Sequence, residues 1–285
     1  MNYLNVGCGY RFHPDWTNID FVSTGQGVIA HNLTQGIPFP DSSFDVIYNS
    51  HFLEHLPKAE AEPFLKECYR VLRPQGVLRI VVPDLEEVVN SYLKLLEKAK
   101  NGSPKAAADY EWLLLEWYDT TVRNIVGGEM AKYLAQDEIL NEEFVFERCG
   151  KEFKNLINML RKQRQDIELL QTVKSEPIKT AVKEIYRVLR YPSYRRETLL
   201  KLFLGKEYTA LQIGRFRQSG EVHQWMYDSY SLNLLLRKCG WENIKQCTSV
   251  DSYIPNWTRF NLDTEADGTI YRPNSLYMEA IKTSG

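Results

Sequence analysis

Leu4-Asn5-Val6-Gly7-Cys8-Gly9 is an apolar run that closes on two glycines one residue apart. With Tyr3 it reads as a short buried strand, residues 3–7. Its carboxyl end is where a ligand sits in an open α/β sheet. Glycine at such a position lets the backbone approach a bound group with no side chain between them. A tight turn without any ligand would use the same residues, so the pair alone leaves both readings open. Asp20 adds weight: Thr17-Asn18-Ile19-Asp20 reads as a second strand closing on a carboxylate. A carboxylate at that tip can accept from both hydroxyls of a ribose.

The spacing argues against a dinucleotide. A nicotinamide site prefers a third glycine where Phe12 stands, and an acidic residue about 20 residues on, after a full helix. Only Tyr10–Trp16 separates Gly9 from the second strand, and His13-Pro14-Asp15 disfavours a long helix there. A pyrophosphate would lack its helix N-terminus, whereas a ligand without phosphate loses nothing.

Further along, Val28–Leu33 is expected as a third strand and Phe44–Tyr48 as a fourth, introduced by the turn-forming Pro40-Asp41-Ser42-Ser43. Lys58–Leu72 places Ala61, Phe64, Leu65, Cys68 and Leu72 at helical spacing and stops at Pro74-Gln75-Gly76. Val77–Val82, interrupted only by Arg79, suits a central parallel strand. Such alternation implies an α/β sheet. From about Leu85 to Gly220 the pattern turns helical: Val88–Lys100, Asp109–Val126, Glu152–Val173, and Lys179–Leu204 with a break at Pro192. A helix (Ser229–Cys239), a strand (Asn243–Val250), an irregular loop and a last strand (Ser275–Lys282) follow. The expected organisation is a ligand-binding part of the core over 1–84, a helical insertion or cap over 85–220, and the C-terminal part of the core over 221–285.

With these elements in place, the chain resembles the class I S-adenosylmethionine-dependent methyltransferases, and within them the small-molecule "type 11" group associated with glycan biosynthesis. The resemblance rests on LNVGCG (4–9), WTNID (16–20), HNLTQGIPFPDSSFDVIYNSHFLEHL (31–56) and ECYRVLRPQGVLRIVVPDLE (67–86). HQWMYD (223–228), CGW (239–241) and SLYMEA (275–280) extend it. It implies a Rossmann-like methyltransferase sheet, mostly parallel with the last strand antiparallel, carrying a large helical insertion. It also implies S-adenosyl-L-methionine as cofactor. Carried over by position, Asn5, Gly7, Cys8 and Gly9 line the methionine and ribose portion, and Asp20 binds the ribose hydroxyls. Asn32 and Leu33 meet the adenine, Asn32 standing where an Asp is usual and accepting through its carbonyl oxygen. Asn49, Ser50 and His51 run beside the methionine part. The short connection between the first two strands fits this subgroup and departs from the wider superfamily.

Methyl transfer is an in-line displacement, so positioning in a dry pocket does most of the catalysis, and a hydroxyl acceptor benefits from a base. His51 and His223 are the expected catalytic residues; Glu54 and His55 are further candidate bases, whose competing role is to stabilise the start of a helix, Tyr227 and Asp228 accompany His223, and Asp84 at the tip of the fifth strand faces either the acceptor or a neighbouring loop. For each histidine a purely structural hydrogen bond is the competing reading, for His223 one that joins the insertion to the core. The expected acceptor is a small molecule or glycan methylated on oxygen. Asn49-Ser50-His51-Phe52 lacks the pattern that accompanies methylation of base amines, and Cys8 lies inside the cofactor loop rather than where a nucleophile would attack a pyrimidine. No metal is expected, since no carboxylate and amide cluster is visible.

The 285 residues are 44% hydrophobic with a formal charge of -2, so the whole-molecule field gives no reason to invoke nucleic acid or a membrane. Five unpaired-looking cysteines, no stretch of membrane-span length and no signal segment lead to the expectation of a cytoplasmic protein. Between Lys179 and Arg217 basic residues outnumber acidic ones, with Tyr186, Tyr191, Tyr194, Phe203 and Tyr208 interleaved. A solvated helix face explains this; so does a patch for an acidic acceptor or, at most, peripheral membrane contact. No specific nucleic acid is expected. An inactive methyltransferase-fold binding protein and an RNA methyltransferase remain alternatives.

Overall fold

The computed structural model describes residues 1–151, 153, 157–162 and 177–283. Seven strands, β1 (Tyr3–Val6), β2 (Thr17–Asp20), β3 (Val28–Ala30), β4 (Phe44–Ser50), β5 (Leu72–Pro83), β6 (Trp241–Cys247) and β7 (Ser275–Lys282), form one sheet in the order β3-β2-β1-β4-β5-β7-β6. β1 to β5 pair in parallel, and β7 runs antiparallel to both its neighbours. This is the Rossmann-like, mostly parallel sheet with an antiparallel last strand expected from the sequence. The chain moves outward from β1 to β3 and then returns to β4 on the other side of β1, so the strand order reverses between β1 and β4. A ligand crevice belongs outside the carboxyl ends at such a reversal.

The named helices are α1 (Lys58–Val71), α2 (Leu85–Lys100), α3 (Pro104–Leu114), α4 (Gly128–Leu134), α5 (Glu142–Cys149), α6 (Pro177–Arg190), α7 (Pro192–Leu204), α8 (Glu207–Arg217) and α9 (Ser229–Lys238). α4, α5 and α8 were not expected as separate helices. The helix expected over Glu152–Val173 lies for the most part outside the described residues.

Several boundaries differ from expectation, among them the sixth strand, which runs over Trp241–Cys247 in place of Asn243–Val250, and three have a visible local cause. The third strand stops at Ala30, because Asn32 Oδ1 accepts from the Thr34 N–H and starts a 3-10 turn over Leu33–Gln35. The fifth strand begins at Leu72 directly from α1. Pro74-Gln75-Gly76 forms a bulge within it, where register jumps from Phe44↔Leu72 to Val46↔Val77 and Gln75 turns left-handed (φ 63°). Beyond α3, the expected helix to Val126 widens into a π-type turn at Leu115–Asp119, where the Thr120 hydroxyl donates to the Glu116 and Trp117 carbonyls. It ends at Val122.

Strand alternation divides the core in two. Leu4, Val6, Ile47, Leu78 and Ile80 meet Ala61, Phe64, Leu65 and Cys68 of α1 and Leu232 and Leu236 of α9 on the first face. Burying a side chain as completely as Leu65 stabilises by about 2 kcal/mol. On the second face Val46, Tyr48, Val81 and Tyr277 are covered by Ile254, Trp257, Phe260 and Leu262, from the stretch expected only as an irregular loop.

Arg79, fully buried, pins that loop. Its Nε donates to Asp263 Oδ2 (2.7 Å), its Nη1 to Glu279 Oε1 (2.8 Å) and the Asp251 carbonyl (3.0 Å), and its Nη2 to the Thr248 carbonyl (2.7 Å). The guanidinium also lies 4.7 Å from the Trp257 ring centroid.

The chain divides into two compact units, one of residues 1–121, 140–154 and 223–285, the other of residues 122–139 and 155–222. Much of the stretch expected as an insertion over 85–220 therefore belongs to the unit that holds the sheet. There α2 and α3 share a small core of Val88, Leu95 and Leu113, and Arg148 pairs with Glu87 (2.9 Å) and Glu116 (2.6 Å). In the other unit α7 and α8 contain no buried residue, and Arg187–Glu184 (3.0 Å) and Arg215–Glu197 (2.7 Å) are ion pairs.

Candidate active site

The glycine loop is held by its own polar contacts. Asn5 is buried and donates from Nδ2 to the Arg11 carbonyl (3.0 Å) and to Asn18 Oδ1 (3.2 Å), which closes the loop over the tips of β1 and β2. Asp20 Oδ2 accepts the Gly9 N–H at 2.7 Å, so the carboxylate and the second glycine are brought together. The Thr24 hydroxyl donates to the Gly9 carbonyl from the far side.

The two glycines are needed for different reasons. Gly7 has φ 68°, and a Cβ there would lie 2.5 Å from Phe52 Cδ2; it makes room for the protein's own ring. Gly9 has φ 52°, and a Cβ there would meet nothing within 4 Å, so its surface is open to a ligand.

A cavity of about 240 Å³ lies over these strand ends. Asn5, Gly7, Cys8, Gly9, Ser50 and His51 line it, joined by Tyr10, Arg11, Tyr48, Tyr271 and Arg272. Burial, with Asp20 adding to it, pushes the Cys8 thiol up to about 12, so Cys8 is a neutral lining group at physiological pH. Arg11 reaches across to the Thr264 carbonyl (2.5 Å) and lies 4.1 Å from the Tyr271 ring centroid, which fastens the glycine loop to the C-terminal loop.

Other expected residues stand apart from this cavity. Asn49 points to the opposite face of β4, fully buried, and its Nδ2 donates to the Val6 carbonyl (3.0 Å) across the strand reversal. Asn32 spends its carbonyl oxygen on the Thr34 N–H (3.1 Å) and hydroxyl (2.8 Å). Leu33 is buried and borders a second, smaller cavity of about 80 Å³ with Leu56, Pro63 and Phe64. Asp84 caps α2, accepting from the Glu86 N–H at 3.0 Å, and Asp228 caps α9 in a capping box with Ser231.

His51 lies at the cavity wall with a left-handed backbone (φ 49°), uncommon for a side chain of this size. Its Nε2 is 2.9 Å from Ser275 Oγ, and its Nδ1 is 3.2 Å from Glu54 Oε1. Burial pushes its pKa below the ordinary histidine value, although Glu54 pulls the other way, so the ring is neutral at physiological pH. His223 does not line the cavity. Its backbone N–H donates to the Thr120 carbonyl (3.0 Å), and its ring packs 4.8 Å from that of His55.

Sequence reasoning passed over Tyr10, Arg11, Tyr48, Tyr271 and Arg272. Tyr10 and Arg11 directly follow the glycine loop and could have been found from that alone. Tyr271 and Arg272 have no local signal, since a long loop brings them to the strand tips.

Residues 15–80 match a family described as a methyltransferase domain. That segment begins just before β2 and ends inside β5, so it holds Asp20, Ser50 and His51 but not the glycine loop. The chain is 41% identical over 56 residues to a probable S-adenosylmethionine-dependent methyltransferase of Mycolicibacterium smegmatis, covering 20% of this chain and 21% of that protein. It is 28% identical over 119 residues to a demethylmenaquinone methyltransferase of Listeria monocytogenes, covering 39% and 46%. The chain thus spans less than half the length of these relatives. Among solved structures, an S-adenosylmethionine-dependent methyltransferase from Archaeoglobus fulgidus aligns over 99% of this chain and 86% of its own, with 11% identity and a TM-score of 0.38.

Proposed function

We propose that the chain is an S-adenosylmethionine-dependent methyltransferase that acts on a small molecule or glycan-type acceptor, at oxygen. The observation that carries this reading is the union of Gly9 and Asp20 at neighbouring strand tips, beside a cavity at the strand reversal. The methyltransferase domain matched over residues 15–80 supports it.

The residues present suit the cofactor. Gly9 leaves open space where a side chain would stand, and Asp20 engages only Oδ2 with the Gly9 N–H, which leaves Oδ1 for ribose hydroxyls. Arg11 and Arg272 bring positive charge to the cavity wall, suited to an amino-acid carboxylate. When bound, S-adenosylmethionine supplies a methyl group activated by a sulfonium sulfur. The chain's part is to hold donor and acceptor in line and keep water out. His51 is neutral and turns Nδ1 to Glu54, so its Nε2 lone pair, now shared with Ser275, takes the proton that an acceptor hydroxyl loses as it attacks.

Titration calorimetry of the intact chain with S-adenosylmethionine tests the reading. Asp20→Ala is expected to weaken binding about 10- to 100-fold, the value of charge-assisted hydrogen bonds. Absence of binding by the intact chain would refute it.

A further inference from the structure

Behind the cavity wall, Glu54, His55 and His223 offer three ligand atoms within 4.8 Å of one another, the one such group among the described residues. Local chain geometry assembles it. Glu54 and His55 lie in the 3-10 turn Leu53–His55 that follows β4. The Glu54 carbonyl accepts the N–H groups of Gln224 (2.7 Å) and Trp225 (3.1 Å), which clamps the segment carrying His223 against that turn.

Glu54 is the unusual member. Its side chain is 0% exposed; Oε1 faces His51 Nδ1 and Oε2 has no hydrogen-bond partner. Its nearest charged or chargeable neighbours are imidazoles: His51 Nδ1 at 3.2 Å and His55 Nε2 at 4.0 Å from Oε1. The buried Tyr227 hydroxyl, also without a hydrogen bond, adds to this polar pocket. A fully buried carboxylate with one oxygen left unpartnered costs several kcal/mol unless a cation offsets it.

We propose that Glu54, His55 and His223 hold a divalent first-row transition metal ion, with His51 standing between that ion and the cavity. One carboxylate and two imidazoles form a donor set suited to such ions, and three protein ligands leave a position for water. Metal–ligand bonds of about 2.0–2.2 Å need donor atoms roughly 3.4 Å apart. The group therefore closes by about an ångström on binding, a side-chain adjustment open to His55 and His223, which are only partly buried. The proposal goes beyond methyl transfer and does not depend on what fills the cavity.

The full chain, stripped with EDTA and freed of it, is titrated with Co²⁺ while visible absorption is followed, and the bound Co²⁺ is then displaced with Zn²⁺. One Co²⁺ per chain is expected, with d–d bands of nitrogen and oxygen coordination. His55→Ala and His223→Ala should each weaken binding more than about tenfold. Both rings pack on one another, so His55→Gln and His223→Gln replace the alanines wherever these lose a cooperative thermal transition. Absence of the Co²⁺ bands in the intact chain overturns the proposal. So do folded variants that bind Co²⁺ as tightly as the wild type. Donor binding is read separately by calorimetry: its absence together with an intact Co²⁺ site would refute the methyltransferase reading and leave the metal site standing.

Discussion

Replacing Arg79 by methionine keeps much of the side chain's length but strands two carboxylates in the core. Asp263 and Glu279 are 3% and 0% exposed, and Arg79 is the cation bonded to both. Tyr48 still donates to Asp263 Oδ1 (2.5 Å) and the Tyr253 N–H to Glu279 Oε2 (2.6 Å), so neither oxygen set is wholly abandoned. Breaking a buried pair from one side costs about 3–5 kcal/mol. The lost hydrogen bonds to the Thr248 and Asp251 carbonyls act in the same direction. At about 2–4 °C per kcal/mol for a chain of this order of size, Tm should fall by roughly 6–20 °C. Urea denaturation gives the free energy and thermal melting the midpoint. A triple variant, Arg79→Met with Asp263→Asn and Glu279→Gln, removes the stranded charges and should recover at least half of the loss. A single variant within about 1 kcal/mol of the wild type, or a triple variant less stable than the single one, would refute this account of how the loop is held.

Gly7→Ala should lower stability by about 1–3 kcal/mol in urea denaturation, since it forces a left-handed backbone and a clash with Phe52. Adding Phe52→Ala relieves only the clash, so the double variant should stay below Phe52→Ala alone. Glu67 accepts the Ile37 N–H (3.0 Å) and both prongs of Arg70 (2.8 Å each), and Arg70 holds its carboxyl below the ordinary range. Its contribution is present above pH 4.5 and is lost as pH falls through the lower folded value. With the side chain 32% exposed, Glu67→Gln should cost only about 1 kcal/mol near pH 7. Melting curves of the variant and wild type should draw together as pH falls below 4.5. Cys8 should stay unmodified when the folded chain is treated with iodoacetamide at pH 8, read by peptide mass mapping, because only about one thiol in ten thousand is ionised there. Rapid alkylation of Cys8 in the folded chain would contradict the closed glycine loop.

The parallel half of the sheet was legible where a buried strand is an apolar run, as in VLRIVV, whereas TNID holds one apolar residue, Ile19, and was legible from its place between turn residues and its closing carboxylate. Val28–Leu33 was read too long because Asn32, a polar residue between Ala30 and Leu33, is a cap and not a strand position. The layer over the second face left no periodic trace. Ile254, Trp257, Phe260 and Leu262 cover it without helical or strand spacing, and the one clue was Arg79, a charge inside an apolar strand. At the site, Gly9, Asp20 and His51 could be placed because each ends or follows a strand. Within HFLEH the spacing puts His51, Glu54 and His55 within one turn of each other. Their meeting with His223, far along the chain, is a tertiary contact that no local pattern encodes.

The stretch that fastens itself over Arg79 also delivers Tyr271 and Arg272 to the cavity, for the Tyr271 N–H donates to the carbonyl of Asp263 itself. Lock and wall are thus one segment. Loosening the guanidinium's grip on Asp263 would unwall the crevice as well as weaken the sheet beneath it.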